Sequence, residues 1–438
     1  MLIEFSVGNY KSFKDTITFS MVATNLTSKN KILDANNIFY YKKKISLLKT
    51  AAIYGANASG KSNLVKAFSF MRNFVINSSK ESQANEEINV ENFQLSTTTE
   101  KQPSLFEIIF VIKDIRYRYG FEIDREKIHS EWLYRAKERE TNLFLRNDKK
   151  ISPKGNFSEG KGLKSKTRQN ALYLSVCAQW NGKISTEILT WFRSCGIISG
   201  IDDVGYRRDT IEQLNNNETK NKILNFVKEF DFGITEFNVK QSTVTADTIP
   251  KQMPKALSKF LINQEFNKTT IFTTHKKYNE KNEYIDDTIF NLELNESDGT
   301  QKAFLFSGPL LDVLRNGKTL FVDELDARFH PIITQEIVRM FDDKHYNPKN
   351  AQLIFITHDT NLLDNKFFRR DQIWFMEKNN YGATDLYSLV NFKVRNDASF
   401  EKDYIAGKYG GVPFLGGITR ILNNAKKKSS QPNAQKKL

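Results

Sequence analysis

Eight residues, Gly55-Ala56-Asn57-Ala58-Ser59-Gly60-Lys61-Ser62, constrain this chain more than any other stretch. They fit G-x-x-x-x-G-K-[ST] in full, and that pattern needs a buried strand before it and a helix after it. AAIY precedes it. An amphipathic run follows from about Lys61, with Leu64, Val65, Phe68, Met71, Phe74 and Val75 at helical spacing. The glycines let backbone N–H groups turn inward around phosphate oxygens. The helix N-terminus adds partial positive charge. Lys61 is placed to pair with the β- and γ-phosphates of ATP, and the Ser62 hydroxyl to ligate Mg²⁺. Gly55, Asn57, Ser59, Gly60 and Asn63 complete the expected cradle.

A P-loop of this kind needs a second apolar strand ending in an acid that holds Mg²⁺ through its water shell. Leu320-Phe321-Val322-Asp323 is such a strand, and Glu324 follows it. Two adjacent carboxylates at the edge of a core repel each other and lose hydration. The pair therefore needs compensation. Asp323 would gain it from the cation. Glu324, expected on the other side of the chain, would gain it from a water aimed at the γ-phosphorus, whose proton it takes. A third apolar strand, 352–357, ends in Thr357-His358-Asp359. Ligands bind at the C-terminal strand ends of open α/β sheets, so His358 is the expected γ-phosphate sensor. His129, His275, His330 and His345 have no such placement.

The rest of the chain organises around these motifs. LIEFSV and DTITFSMV alternate like paired strands, and SSKESQANEEINVEN reads as a loop. SLFEIIFVI, IRYRYGFEI and IHSEWLYRA predict a three-strand antiparallel meander. KSKTRQNALYLSVCAQW, STEILTWFRSCG, KNKILNFVKEF and KALSKFLINQEF predict helices. TTIFTTHKKY returns to strand before a turn at YNEKNEY. The middle has neither heptads nor a repeat of fixed period. From Glu296 the βα alternation resumes. A helix over about 301–315 is interrupted near Gly308-Pro309. Strand TLFVDE, a helix over about 331–341, and strands AQLIFITHD and QIWFMEK follow. This pattern argues for a largely parallel sheet with helices on its faces. The expected domains are 1–77 with the P-loop, 78–290 as β-lobe and helical insertion, 291–420 as the second part of the ATPase head, and 421–438 as a disordered basic tail.

Charge and cysteine bound the partners and the compartment. The net charge is +14 over 438 residues, and about +9 remains without the lysines of AKKKSSQPNAQKKL. That balance suits nucleic acid or an acidic partner as well as it suits a solvated Lys-rich surface. Cys177 and Cys195 are too few for a disulfide framework and lack metal-ligand spacing. They read as buried or half-buried thiols in a reducing compartment. No apolar run approaches 18 residues, and MLIEFSVGNYKSF lacks the form of a signal peptide. The expectation is a cytoplasmic protein with no membrane contact.

The motif order resembles the heads of ABC-type ATPases, on the SMC- and nuclease-related branch rather than the transporter branch. In that family a Ser-Gly signature opens a helix and clamps the γ-phosphate held by the opposite subunit. The matching residues are Ser297 and Gly299 in Ser297-Asp298-Gly299-Thr300. Glu296, Asp298 and Thr300 depart from the transporter form. Taken together, NYKSF, YGANASGKSN, ESDGTQ, DELDARFHP, THDTNLLD, RRDQIWFMEK and YIAGKYGGVPFL look like the ATP-binding proteins of the AbiL and RloA type. The resemblance covers roughly residues 1–75 and 285–418. It implies an α/β ABC-ATPase head, with a mixed P-loop sheet, an antiparallel β-lobe, and a helical and β insertion before the signature. It implies an ATPase using ATP and Mg²⁺, a homodimer or higher oligomer through the ATP sites, and a separately encoded effector, a nuclease or toxin, in antiphage abortive infection. It also places Asp326 at the dimer seam and makes Gln94 the nearest match to a Mg²⁺-sensing Gln. An SMC-like or repair ATPase acting directly on DNA uses the same head and stays open as an alternative. The aromatics of YIAGKYGGVPFL fit either a partner edge or the sheet core.

Overall fold

The computed structural model describes residues 1–413 apart from 27, 29, 43–44, 81–82, 84–85, 203, 231, 244–266 and 396–397. The strand Thr50–Gly55 is buried at every position, and the fold is arranged around it. It lies inside a six-stranded sheet. The order is Gly196–Ser199, Thr319–Asp323, Gln352–Ile356, Thr50–Gly55, Ile373–Lys378 and Thr384–Ser388. All neighbours are parallel except the last pair. Buried parallel strands need cover on both faces. Here Ala51, Ile53, Phe321, Ile354 and Met376 enter one core. Ala52, Tyr54, Leu320, Val322, Phe355 and Phe375 enter the other.

The helix Lys61–Asn77 fills the first core. Its Leu64, Val65, Ala67, Phe68, Met71 and Val75 are buried. Phe68 stacks on Phe321 of the parallel sheet at 4.0 Å and meets Phe5 edge-on at 5.6 Å. Phe5 belongs to a second sheet of seven antiparallel strands. The P-loop helix is thus held between two sheets. The predicted meander is part of that second sheet, but it continues through Glu140–Asn147 and Lys150–Pro153. Its other edge is formed by the N-terminal strands Leu2–Gly8 and Ile17–Ser20.

Two predicted elements differ. In KSKTRQNALYLSVCAQW the α-helix is confined to Tyr173–Gln179. The carbonyls of Arg168, Gln169 and Ala171 are taken by the buried Arg146 guanidinium instead of by a helical ladder. The carboxylate of buried Glu131 then accepts the first helical N–H groups, from Tyr173 and Leu174. The second is the helix expected to break at Gly308-Pro309, which runs unbroken over Asp298–Asn316. The predicted helix KALSKFLINQEF lies outside the described residues, as does the tail after Pro413.

The proline is accommodated by a neighbour. A proline inside a helix deprives the carbonyl four residues back of its donor. That carbonyl belongs to Leu305, and the Thr210 hydroxyl of helix Val204–Gln213 donates to it at 2.5 Å. A sheet of Ile234–Thr243, Asn267–Tyr278 and Tyr284–Asn291 packs on the same long helix, with Phe237 4.5 Å from Phe304. Both cysteines are free and buried. Among the described residues no helix is long and apolar enough to cross a membrane. Thr210→Val keeps the shape of the fully buried Thr210 but strands the Leu305 carbonyl. Urea unfolding is expected to show a loss of about 1–3 kcal/mol.

Candidate functional site

The turn after Thr50–Gly55 carries the P-loop into its helix. Ala58 has φ 62° and Gly60 has φ 101°, so the backbone curls around the space in front of the helix N-terminus. Gly60 also meets a steric limit. A Cβ there would lie 2.4 Å from Thr384 Oγ1 and 2.6 Å from Ser12 Oγ. Thr384 donates to the Ser59 carbonyl at 2.8 Å, and Asn63 donates to Ser12 Oγ at 2.7 Å. Asn63 therefore braces the loop against the NYKSF turn. Asn57 is exposed at the loop tip. The Ser59 hydroxyl oxygen is buried without a hydrogen-bond partner.

Lys61 is buried, and its ammonium donates to the carbonyls of Gly55 at 2.8 Å and Ala56 at 2.9 Å. Burial lowers its pKa, while Asp323, Glu324 and Asp326 pull it back up. The Ser62 hydroxyl donates to Asp323 Oδ1 at 3.1 Å. Burial raises the Asp323 pKa, opposed by that hydroxyl, Lys66, Lys61 and His358.

The strand ends at Asp323, and a left-handed residue, Glu324 at φ 57°, turns the chain. That conformation is costly for a residue with a side chain and clusters at functional sites. Its neighbour explains how it is held. Gly200 donates its N–H to the Asp323 carbonyl at 2.6 Å. A Cβ on Gly200 would sit 1.8 Å from the Glu324 carbonyl oxygen. From the other side, buried Lys302 donates to the carbonyls of Leu325, at 2.9 Å, and Ala327. Its ammonium lies 4.2 Å from the Phe329 ring centre. Burial pushes the Lys302 pKa down to about 8, against the pull of Asp326 and Glu324. Asp326 accepts the backbone N–H of His358 at 3.3 Å, which ties this loop to the next strand of the same chain.

The chain thus brings Lys61, Ser62, Asp323, Glu324, Asp326 and His358 to one end of the parallel sheet. Ser297 caps the helix Asp298–Asn316, accepting from Thr300 N at 3.2 Å. It is exposed, and Gly299 lies against the Arg328 carbonyl. The described contacts of Ser297 are with its own helix and those of Gly299 include the Arg328 loop, and none is with the P-loop. Gln94 is likewise exposed, and the described contacts do not bring it to the P-loop. Reading the sequence missed Gly200, Lys302, Ser12 and Thr384. Only Lys302 gave a signal, as a cation directly before the apolar run AFLF. A buried cation needs partners.

The residues fit Mg·ATP. The orphaned Ser59 hydroxyl faces no protein acceptor or donor, the loop is curled for an anion, and Ser62 with Asp323 is a pair of hard oxygen donors suited to Mg²⁺. This combination is that of a P-loop nucleotide-binding site. A family model described as "AAA domain, putative AbiEii toxin, Type IV TA system" matches residues 51–364, and the chain belongs to that family. No curated protein matches the sequence. The SMC head domain from Thermotoga maritima aligns over 88% of this chain and 98% of its own, at 12% identity and a TM-score of 0.37. The recombination mediator RecF with ATP aligns over 88% and 99%, at 11% and 0.33. CbiO1 from Clostridium perfringens, part of the ABC transporter complex cbiONQ, aligns over 90% and 94%, at 11% and 0.29. At scores this low the fold assignment rests on strand order and site geometry.

The electrostatics give one direct check. Burial and the Lys61 ammonium hold the His358 imidazole below its ordinary 6.5, while Asp326, Glu324 and Asp323 oppose them. Removing a cation relieves the protonated form, and removing an anion penalises it. An NMR titration of the nucleotide-free protein is expected to place His358 below 6.5. Lys61→Ala should raise the midpoint, and Asp326→Asn should lower it further.

Proposed function

We propose that this chain is an ATP-hydrolysing switch. It binds Mg·ATP between two head-to-head copies and controls a separately encoded effector, a nuclease or toxin, in antiphage abortive infection. The observation that carries the hydrolytic part is the convergence of Lys61, Ser62, Asp323, Glu324 and His358 at one sheet end. The exposed Ser297, at a helix N-terminus whose described contacts do not include its own P-loop, supports the two-copy arrangement. The family description, which names a toxin and a type IV toxin–antitoxin system, supports a role beside a second component.

In this reading Lys61 leaves the Gly55 and Ala56 carbonyls and turns its charge to the phosphates. The P-loop N–H groups orient the same oxygens. Ser62 and Asp323 would hold Mg²⁺, which when bound neutralises phosphate charge. Glu324, fixed by its turn between Gly200 and Lys302, takes the proton from the attacking water. His358, neutral at physiological pH, senses the γ-phosphate from the neighbouring strand. Ser297 and Gly299 of the second copy close the site.

Glu324→Gln removes the proton acceptor and keeps the shape. ATP turnover is expected to fall by about 10²-fold or more while ATP binding persists. Turnover equal to wild type would remove Glu324 from this role. In sedimentation, Glu324→Gln with ATP should form dimers, and adding Ser297→Arg should leave monomers that still bind ATP. Co-purification of the trapped dimer with the product of a neighbouring gene tests control of an effector.

A further inference from the structure

The C-terminal motif YIAGKYGGVPFL has no part in the chemistry above, yet its described portion returns to the first residue of the P-loop. Tyr404 ends the short helix Phe400–Ile405 and is buried. Its ring stacks on Phe375 at 5.3 Å and meets Tyr54 edge-on at 5.8 Å. Tyr404 and Tyr409, the motif's described aromatics, therefore belong to the core on one face of the parallel sheet. Tyr409 stacks on the same Phe375 at 5.7 Å.

The hydroxyl of Tyr404 is buried beside the P-loop's first residue. Burial disfavours its ionised form, and the nearby Gly55 backbone N–H opposes that larger effect. The hydroxyl donates to the Gly411 carbonyl at 3.0 Å. Gly411 itself lies on the P-loop's first residue. A Cβ built there would be 3.5 Å from Gly55 Cα and 3.6 Å from the Met376 carbonyl oxygen. The other end of the Gly55 peptide matters to the site, because the Gly55 carbonyl is a resting partner of the Lys61 ammonium. A continuous run of contacts leads from Tyr404 through Gly411 and Gly55 to Lys61.

We propose that Tyr404 is a positioning residue for nucleotide binding, and that the loop after it sets ATP affinity by holding the Gly55 peptide. This rests on the reading of the P-loop as an ATP site. Loss of the hydroxyl alone leaves the rings in place, releases the Gly411 carbonyl and loosens the loop that lies on the Gly55 peptide.

Tyr404→Phe in the full chain is the test. Equilibrium titration with a fluorescent N-methylanthraniloyl ATP and Mg²⁺ is expected to show affinity weakened about three- to tenfold. The KM for ATP should rise with it, while kcat at saturating ATP holds. The Gly55 amide should exchange its hydrogen faster. Tyr173→Phe is the control, since it removes another buried hydroxyl bond, to the Gly160 carbonyl. It should leave nucleotide affinity unchanged. Wild-type affinity and wild-type Gly55 exchange in Tyr404→Phe would overturn the proposal. If Tyr404→Phe does not fold, Gly411→Ala strains the same loop, because Gly411 has φ 66°, and unaltered affinity there would overturn it equally. If wild type itself binds no nucleotide, the ATP reading fails, and Gly55 exchange alone decides whether the tie exists.

Discussion

The site depends on the burial of one strand. Thr50–Gly55 is covered on both faces, so the loop that follows starts from a fixed point. The helix after the loop is equally fixed, clamped by aromatic contacts to a sheet on either side. A Gly-containing loop strung between two immobile elements can hold the curled backbone that an anion requires. The same burial is why Lys61 and Asp323 are both electrostatically uncomfortable, each pushed toward its neutral form and rescued by the other's charge. Buried charges of opposite sign on neighbouring elements are stable only as a set.

Backbone geometry does as much as side chains in placing the acids. Asp323 is set by its strand, whereas Glu324 is set by a left-handed turn wedged between Gly200 and the carbonyls bound by Lys302. The edge strand that ends at Gly200 comes from the middle of the chain, far in sequence from both nucleotide motifs. The middle region therefore contributes directly to the P-loop sheet.

The local motifs were legible because each is contiguous and chemically unusual. GANASGKS, the acid pair after LFV and the His after LIFIT all stand at the same end of one sheet, as their spacing to apolar strands implies. What remained hidden depends on contacts between distant segments. Thr210 rescuing the proline in Asp298–Asn316 has no local signature, so the helix looked broken. The joining of Leu2–Gly8 to the meander was invisible because alternation marks a strand and not its neighbour. Gly200 matters for what it lacks, which a single sequence cannot announce. Arg146 drawing carbonyls out of a helix-like stretch is a tertiary override of local propensity.

The exposed cap at Ser297 has a consequence for counting. In the two-copy arrangement proposed above Ser297 completes its partner's site by symmetry, and a face-to-face pair related by a twofold axis repeats every contact. In the proposed arrangement each copy is therefore both lender and borrower. Nucleotides would be enclosed in twos, and a pair holding a single ATP would be closed on one side and open on the other. Such an intermediate would make occupancy cooperative and let the pair respond to nucleotide supply more steeply than a lone head could.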